Sequence, residues 1–394
     1  MTLVSAGKAA VPMAEGFLSS WSDDIRGGVV ASPVGAASDE RLDFFAVGHP
    51  VPTPSSVEAG SRVLEQACSL GSDDVLLVLL SGGASASLAV PASGLTLEEK
   101  VQATNALLRG GVPIDSINCV RKHLSGIKGG RLAATSRATV VTLAISDVVG
   151  PVPDDPAVIG SGPTVGDPTT FADAMAVIDR PSVRAAFPNS ARRVLERGCQ
   201  GEIPETPKPG SSSLSRSVFE VIGSRTHAVR AAAQVAAELG YAVATIDTPV
   251  VGAARDVAQA HYQEILRLAM GLSRPACVLS AGETTVEVTG SGRGGRNQEF
   301  GLAVVEALAN SPWQMVMASV GTDGVDGPTD AAGAVVDTTT FRRGQERGLG
   351  APRAYLENND SHTYFEALGD LISTGPTNTN IGDIQVALLD DADS

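Results

Sequence analysis

From Gly290 to Glu299 the chain reads Gly-Ser-Gly-Arg-Gly-Gly-Arg-Asn-Gln-Glu. Glycines let backbone N–H groups approach a ligand and turn toward it, and arginines add planar, permanently charged forks. The stretch follows an alternating, strand-like run, Thr284 to Thr289, and leads into a helix-like run, Arg296 to Leu308. A helix that begins after a glycine-rich turn favours phosphate at its N-terminus. The chemistry expected is the handling of a phosphorylated ligand, with Gly294, Gly295, Asn297 and Glu299 among the groups that meet it.

Four further turns sit at the ends of strand-like runs: Ala6-Gly7-Lys8, Ser81-Gly82-Gly83-Ala84-Ser85, Ser146-Asp147 and Gly321 to Gly327; Gly282-Glu283 is a fifth. Open α/β sheets bind ligands at such carboxyl ends, so together they point to a cleft. Lys8 stands where a helix dipole opposes its charge, a cost that a bound anion offsets. Ser81, Gly82, Gly83 and Ser85 offer backbone N–H groups and two hydroxyls for a phosphate or carboxylate. Between Asn118 and Arg131 lies the densest basic cluster, from which Arg121 and Lys128 suit an acidic small molecule; His123 reads as a packing residue or an acid–base group. Asp323 and Asp326, with Asp330, crowd one flexible turn and suit a hard cation such as Mg²⁺.

The elements that must position these groups alternate between strand and helix, which predicts an α/β fold with a largely parallel sheet. Val75 to Leu80 is a continuous apolar run, as in a sheet covered on both faces. Thr96 and Glu99 predict a capping box, and Pro54 a helix start. The stretch Gly201 to Ser217 is rich in Pro, Gly and Ser and reads as a linker or surface loop. It divides the chain into expected domains 1–215 and 216–394, with strand Phe219 to Ile222 opening the second.

Composition narrows the partners. A net charge of -15 and an aromatic content of 4% argue against nucleic acid and anionic membranes. No apolar run is long enough to span a bilayer, and the first residues lack the basic region of a signal peptide. Cys68, Cys119, Cys199 and Cys277 are widely spaced and read as buried free thiols, which fits a reducing cytoplasm. The expected partners are small molecules, and a homodimer is compatible with this reading.

Gly290, Gly292 and Gly295 also satisfy the dinucleotide fingerprint, so an NAD(P)H-dependent reductase of hydroxypyruvate or tartronate semialdehyde is the rival reading. Against it, Arg293 would crowd a pyrophosphate, and the expected acidic residue after the next strand is not clearly placed. The P-loop and protein-kinase motifs are absent.

Taken in order, the segments Ala6-Gly-Lys-Ala-Ala10, Gly48-His-Pro-Val-Pro52, Ser81 to Ala86, Asn118 to Ser125, Lys128-Gly-Gly-Arg131, Ile145-Ser-Asp-Val148, Ser161-Gly-Pro-Thr164, Gly294 to Glu299, Gly321 to Gly327 and Gly375 to Asn380 resemble the class II glycerate kinase (glycerate 2-kinase) family. The ordered set spans nearly the whole chain. The resemblance implies a Rossmann-like α/β/α N-terminal glycerate-kinase domain and a second, smaller mixed α/β domain of the MOFRL type. It implies ATP- and Mg²⁺-dependent phosphorylation of D-glycerate, usually to 2-phosphoglycerate. By the same resemblance Lys8 and Arg296 are essential. For Mg²⁺, which takes one or two carboxylates beside ATP phosphates, Asp147 and Asp323 are the candidate ligands, with Asp326 behind them. Family chains more often carry glycine where Ala84 stands here, and usually carry a helical segment before the strand at which this sequence opens.

Overall fold

A computed structural model describes residues 1–36 and 39–391 of the chain. It divides into two compact units, Met1–Ile222 and Gly223–Ser394, each with its own six-stranded sheet. No helix among the described residues is long and apolar enough to cross a membrane.

The first sheet contains β1 (Thr2–Ala6), β2 (Gly27–Ser32), β3 (Leu42–Ala46), β4 (Val75–Leu80), β5 (Thr139–Ile145) and β6 (Ser217–Gly223). Its order is β3-β2-β1-β4-β5-β6, the doubly wound order, with β1 to β5 mutually parallel. The apolar run of β4 is buried on both faces, as its composition requires. Leu76, Val78 and Leu80 meet Ala59, Val63 and Ala67 of the helix Pro54–Ser69. Leu77 and Leu79 meet Ala10 and Ala14 of the helix Ala10–Trp21. A helical layer built on Leu97–Arg109, Ile114–His123, Phe171–Ile178 and Asn189–Cys199 packs around Leu107, Val120, Phe171 and Leu195. The capping box is formed: Glu99 N donates to Thr96 Oγ1 at 3.2 Å, and Thr96 N donates to Glu99 Oε2 at 2.8 Å.

The strand expected to open the second domain belongs instead to the first sheet. Ser217–Gly223 lies beside β5, and Phe219 and Val221 pack on the first core, so the boundary falls after Ile222.

The second sheet contains β7 (Ala242–Ala253), β8 (Ala276–Thr285), β9 (Gln314–Gly321), β10 (Gly333–Asp337), β11 (Leu371–Ile372) and β12 (Asp383–Asp390), in the order β11-β10-β9-β12-β8-β7. Only β7 and β8 are parallel; the other neighbours are antiparallel. The expected parallel sheet thus holds for the first unit alone. The turn between β9 and β10 contains no helix and is too short for a parallel crossover. The helices Ala254–Ala269 and Arg296–Leu308 cover one face through Tyr262, Ile265, Phe300 and Val304.

A strand expected over Thr284 to Thr289 ends at Thr285. Beyond it the peptides bond to a side chain rather than a neighbouring strand: Asn359 Nδ2 donates to Glu287 O, and Thr289 N donates to Asn359 Oδ1. All four cysteines are free as expected, but Cys68 and Cys199 are exposed, on the outer faces of their helices.

Register places the ligand-facing turns of the first unit. Ala6 pairs with Leu80, and Leu80 with Ala144, so the residues after β1, β4 and β5 emerge side by side. Gly7 makes this close approach at φ +117°, and a β-carbon there would lie 2.6 Å from Ser81 O. Gly7→Ala is expected to destabilise the protein by about 1–3 kcal/mol through backbone strain and this clash. Urea unfolding measures it; a loss within experimental error would show that the turn relaxes freely.

Candidate active site

In the first unit, the turns after β1 and β4 are locked together. Lys8 N donates to Gly82 O at 2.8 Å, and Ala9 N donates to Ser81 Oγ at 3.0 Å. This junction between β1 and β4 is where strand order reverses, the place at which doubly wound sheets bind ligands. A cavity of about 550 Å³ opens here, lined by Gly82, Gly83, Asp147, Asn118 and three cations, Lys100, Arg121 and Lys128. The fold therefore gathers Ser81, Gly82, Gly83, Ser85, Arg121, Lys128 and Asp147 in one place.

Their individual roles differ from the expectation. The Ser81 hydroxyl is buried and braces the Lys8 turn. Lys128 is 2% exposed and its ammonium donates to Ser85 O at 2.6 Å, Ser85 Oγ at 2.9 Å and Leu88 O at 3.4 Å. It therefore holds the Ser81–Ser85 turn from beneath. Burial, with Lys100 and Arg121 nearby, drives its pKa well below the ordinary lysine range. A β-carbon at Gly82 would overlap the Asp147 carboxylate, so glycine is what allows that acid to stand in the cavity.

Lys100 and His49 carry signals that the sequence reading did not single out as site residues. Lys100 lies in a regular helix and is 7% exposed, with its ammonium donating to Leu124 O at 2.9 Å. Burial, then the Arg121 charge, brings it down to about 7. Burial and the Lys8 charge hold the His49 imidazole below its usual range. The Gly-His-Pro segment was visible in the sequence; Lys100 was hidden among helix-surface charges. The neighbours of Arg121 in the basic cluster turn elsewhere. Lys122 pairs with buried Asp167 at 3.3 Å, and His123 lies edge-on to Phe171 with Nδ1 at 2.8 Å from Cys119 O, a packing role.

In the second unit, register again builds the site. Gly282, Asp383 and Gly321 stand in one row across β8, β12 and β9. Arg296 binds Asp383 through both nitrogens, Nε at 2.7 Å and Nη2 at 2.9 Å, and Glu283 lies 3.7 Å from Nη1. Two residues further along the strands, Ser280, Gln385 and Ser319 form a second row. They make a buried chain with consistent donor direction. Ser280 Oγ donates to Gln385 Oε1, Gln385 Nε2 donates to Ser319 Oγ, and Ser319 Oγ donates to Asn297 Oδ1. Asn297 Nδ2 donates in turn to Asp383 Oδ1 at 2.9 Å. At the far end Ser280 Oγ lies 3.1 Å from His261 Nε2. With the Ser280 proton committed to Gln385, that nitrogen is the donor. Burial pushes His261 down to about 4, which keeps it neutral for this role.

The glycine-rich loop behaves differently from its sequence signature. Gly290 N donates to Asn359 Oδ1, Ser291 N to Asn358 Oδ1, Gly292 N to Asn358 O and Arg293 N to Asp360 Oδ1. Four N–H groups expected to cradle phosphate are thus consumed by the 358–360 turn. β-Carbons at Gly290, Gly292 and Gly294 would strike residues 358–361, and one at Gly295 would strike Asp326. The glycines serve close packing.

Asp326, taken from sequence as a reserve metal ligand, is 1% exposed and caps the helix Arg296–Leu308. Its carboxylate accepts from Asn297 N at 3.0 Å, Gln298 N at 2.9 Å and Gln298 Nε2 at 3.0 Å, which leaves its oxygens committed. Glu299 is likewise turned inward, with both oxygens on Arg255 at 2.8 and 2.9 Å and Asn359 on one of them. Asp323 is half-buried and accepts from Val325 N at 3.2 Å.

Among the described residues, no three His, Cys, Asp or Glu side chains gather into a metal cage.

A parallel doubly wound unit with a cationic cavity at its switch point, followed by a mixed α/β unit that presents a braced arginine, defines a two-unit α/β protein suited to anionic small ligands. Residues 1–196 match a domain of unknown function, DUF4147, and residues 276–383 match the MOFRL family. The chain is 38% identical to a D-glycerate 2-kinase of Thermotoga maritima, over 98% of this chain and 90% of that protein. A glycerate kinase crystal structure from the same organism superposes with a TM-score of 0.89 at 37% identity, covering 99% of this chain and 91% of that one. A relative from Agrobacterium vitis, 40% identical over 98% of this chain and 86% of its own length, carries a provisional hydroxypyruvate reductase name. The chain belongs to the class II glycerate kinase family with a MOFRL C-terminal domain.

Burial decides which ion pairs of the second unit matter. The Asp383 side chain is fully buried against Arg296, whereas Arg293 and Asp330 form an exposed pair. Asp383→Asn is expected to cost roughly 3–5 kcal/mol, because it strands a partly buried guanidinium. Arg293→Ala is expected to cost about 1 kcal/mol or less. Urea unfolding of the two variants checks the order; equal losses would contradict the buried-pair account.

Proposed function

We propose that this protein is an ATP-dependent D-glycerate 2-kinase. The observation that carries the reading is the cavity of the first unit, where Lys100 and Arg121 meet no carboxylate at ion-pair distance among the described residues, while Lys128 braces the turn beside them. Phosphoryl transfer asks for positioning and charge neutralisation more than covalent chemistry. The glycerate 2-hydroxyl oxygen bonds to the γ-phosphorus while the bond from that phosphorus to the β,γ-bridging oxygen breaks, releasing ADP. The hydroxyl proton passes to a base, for which neutral His49 and the Asp147 carboxylate are the two groups the cavity presents.

Lys8 in the first unit and Arg296 in the second are each proposed as a cation that stabilises phosphoryl charge. Lys8 is set by its backbone bond to Gly82, and Arg296 by Asp383 and the buried chain behind it. Mg²⁺ would neutralise phosphate charge when bound with ATP, and Asp147 in the first unit and Asp323 in the second are each proposed as a candidate carboxylate for it. The reductase reading is the weaker one. Its motif is the glycine-rich loop, whose first four N–H groups bond to residues 358–360 instead of facing a pyrophosphate.

A coupled ADP-release assay with ATP, Mg²⁺ and D-glycerate tests this reading. Lys8→Met and Arg296→Met are each expected to lower kcat by about 10²- to 10⁴-fold while the fold survives. Variants within threefold of the parent would remove those roles. Substrate-dependent NADH oxidation without ADP release would replace the kinase reading altogether.

A further inference from the structure

Resting on the kinase reading, we propose that the cavity of the first unit is the nucleotide seat, with the triphosphate at its Lys100–Arg121 end and the ribose and base along Leu108 and Ile114. The wall is graded. The helix Leu97–Arg109 presents Lys100, Thr104 and Leu108 to the cavity, and the helix Ile114–His123 presents Ile114, Asn118 and Arg121. The helices run in opposite directions there, since Lys100 reaches Leu124 O just past the end of the second, while Leu108 lies one short turn from Ile114. The cations therefore cluster at one end, the polar Thr104 and Asn118 lie midway, and the apolar pair stands at the other. At a rise of about 1.5 Å per residue the gradient spans roughly 10–12 Å. A polyphosphate joined through a sugar to an aromatic base has that succession of charge and length.

Three observations favour a nucleotide over the three-carbon acid. The cavity, at about 550 Å³, is of the size that holds drug-sized ligands, and glycerate would fill a small part of it. Leu108 and Ile114 are 54% and 48% exposed, an apolar surface that a base would cover and a hydroxy acid would not. Lys100 lines the cavity, and its buried ammonium has a single acceptor among the described residues, Leu124 O, which leaves donor capacity unused. Arg121 adds a guanidinium that no carboxylate among the described residues pairs. A single carboxylate cannot answer all of these donors; phosphate oxygens can.

Calorimetric titration of the full-length protein separates the possibilities. The titrants are a non-hydrolysable imido analogue of ATP, inorganic tripolyphosphate and D-glycerate. Lys100→Met is expected to weaken the analogue and tripolyphosphate alike, by about tenfold or more, and to leave D-glycerate within twofold. Leu108→Asp, at an exposed position that burial does not constrain, is expected to weaken the analogue by about fivefold or more with tripolyphosphate unchanged; it carries the test if Lys100→Met does not fold. Weakened D-glycerate binding with intact analogue binding in Lys100→Met would overturn the assignment and make the cavity the acid's site. Analogue affinity indifferent to Leu108→Asp would overturn it as well. ADP release by the parent protein alongside either overturning result fails the seat and spares the kinase reading. The expected binding pattern without glycerate-dependent ADP release does the reverse.

Discussion

Three basic side chains of the first unit, Lys100, Arg121 and Lys128, line one cavity without a paired carboxylate among the described residues. An ammonium or guanidinium taken out of water is costly unless hydrogen bonds and an opposite charge surround it. Lys128 recovers part of this through three protein acceptors, Lys100 through one, and Arg121 through none among the described residues. The depressed pKa of Lys100, about 7, is the same imbalance expressed as proton affinity. A fold that tolerates this is spending stability at a place where a ligand returns it, and the rest of the first unit explains how the cost is confined. The level ends of β1, β4 and β5 fix the turns, and Lys128 clamps Ser85 from below.

The second unit solves the opposite problem. Arg296 is fully paired, and its partner Asp383 is itself held by Asn297 at the end of a buried donor chain from His261 through Ser280, Gln385 and Ser319. Its strand members, Ser280, Gln385, Ser319 and Asp383, face one side of the sheet because strand side chains alternate, so a register shift of one residue would dissolve it. The first unit leaves cations open for a ligand, whereas the second fixes one cation in direction.

Much of this was legible in the sequence. The apolar strand Val75 to Leu80, the capping box at Thr96 and the small polar turns at strand ends gave the α/β plan of the first unit and most of its cavity lining. What misled was local pattern read without its long-range partners. The loop Gly290 to Gly295 carries a phosphate-type signature, but residues 358–360, some seventy positions away, take up the N–H groups of its first four residues. Asp326 looks like a metal ligand in a flexible turn until the helix it caps is folded beside it. Lys100 looks like a solvated helix charge until the helix Ile114–His123 and its flanks bury it. Glycine patterns report a need for close approach; only the tertiary fold shows whether ligand or protein makes the approach.

The central claim is that these charges serve phosphoryl transfer from ATP to D-glycerate. Phosphorus NMR of the protein with ATP, Mg²⁺ and D-glycerate tests it most directly. The account predicts a new phosphomonoester resonance belonging to 2-phosphoglycerate, growing in step with ADP. Inorganic phosphate as the only product, or unchanged ATP with well-folded protein, would contradict it.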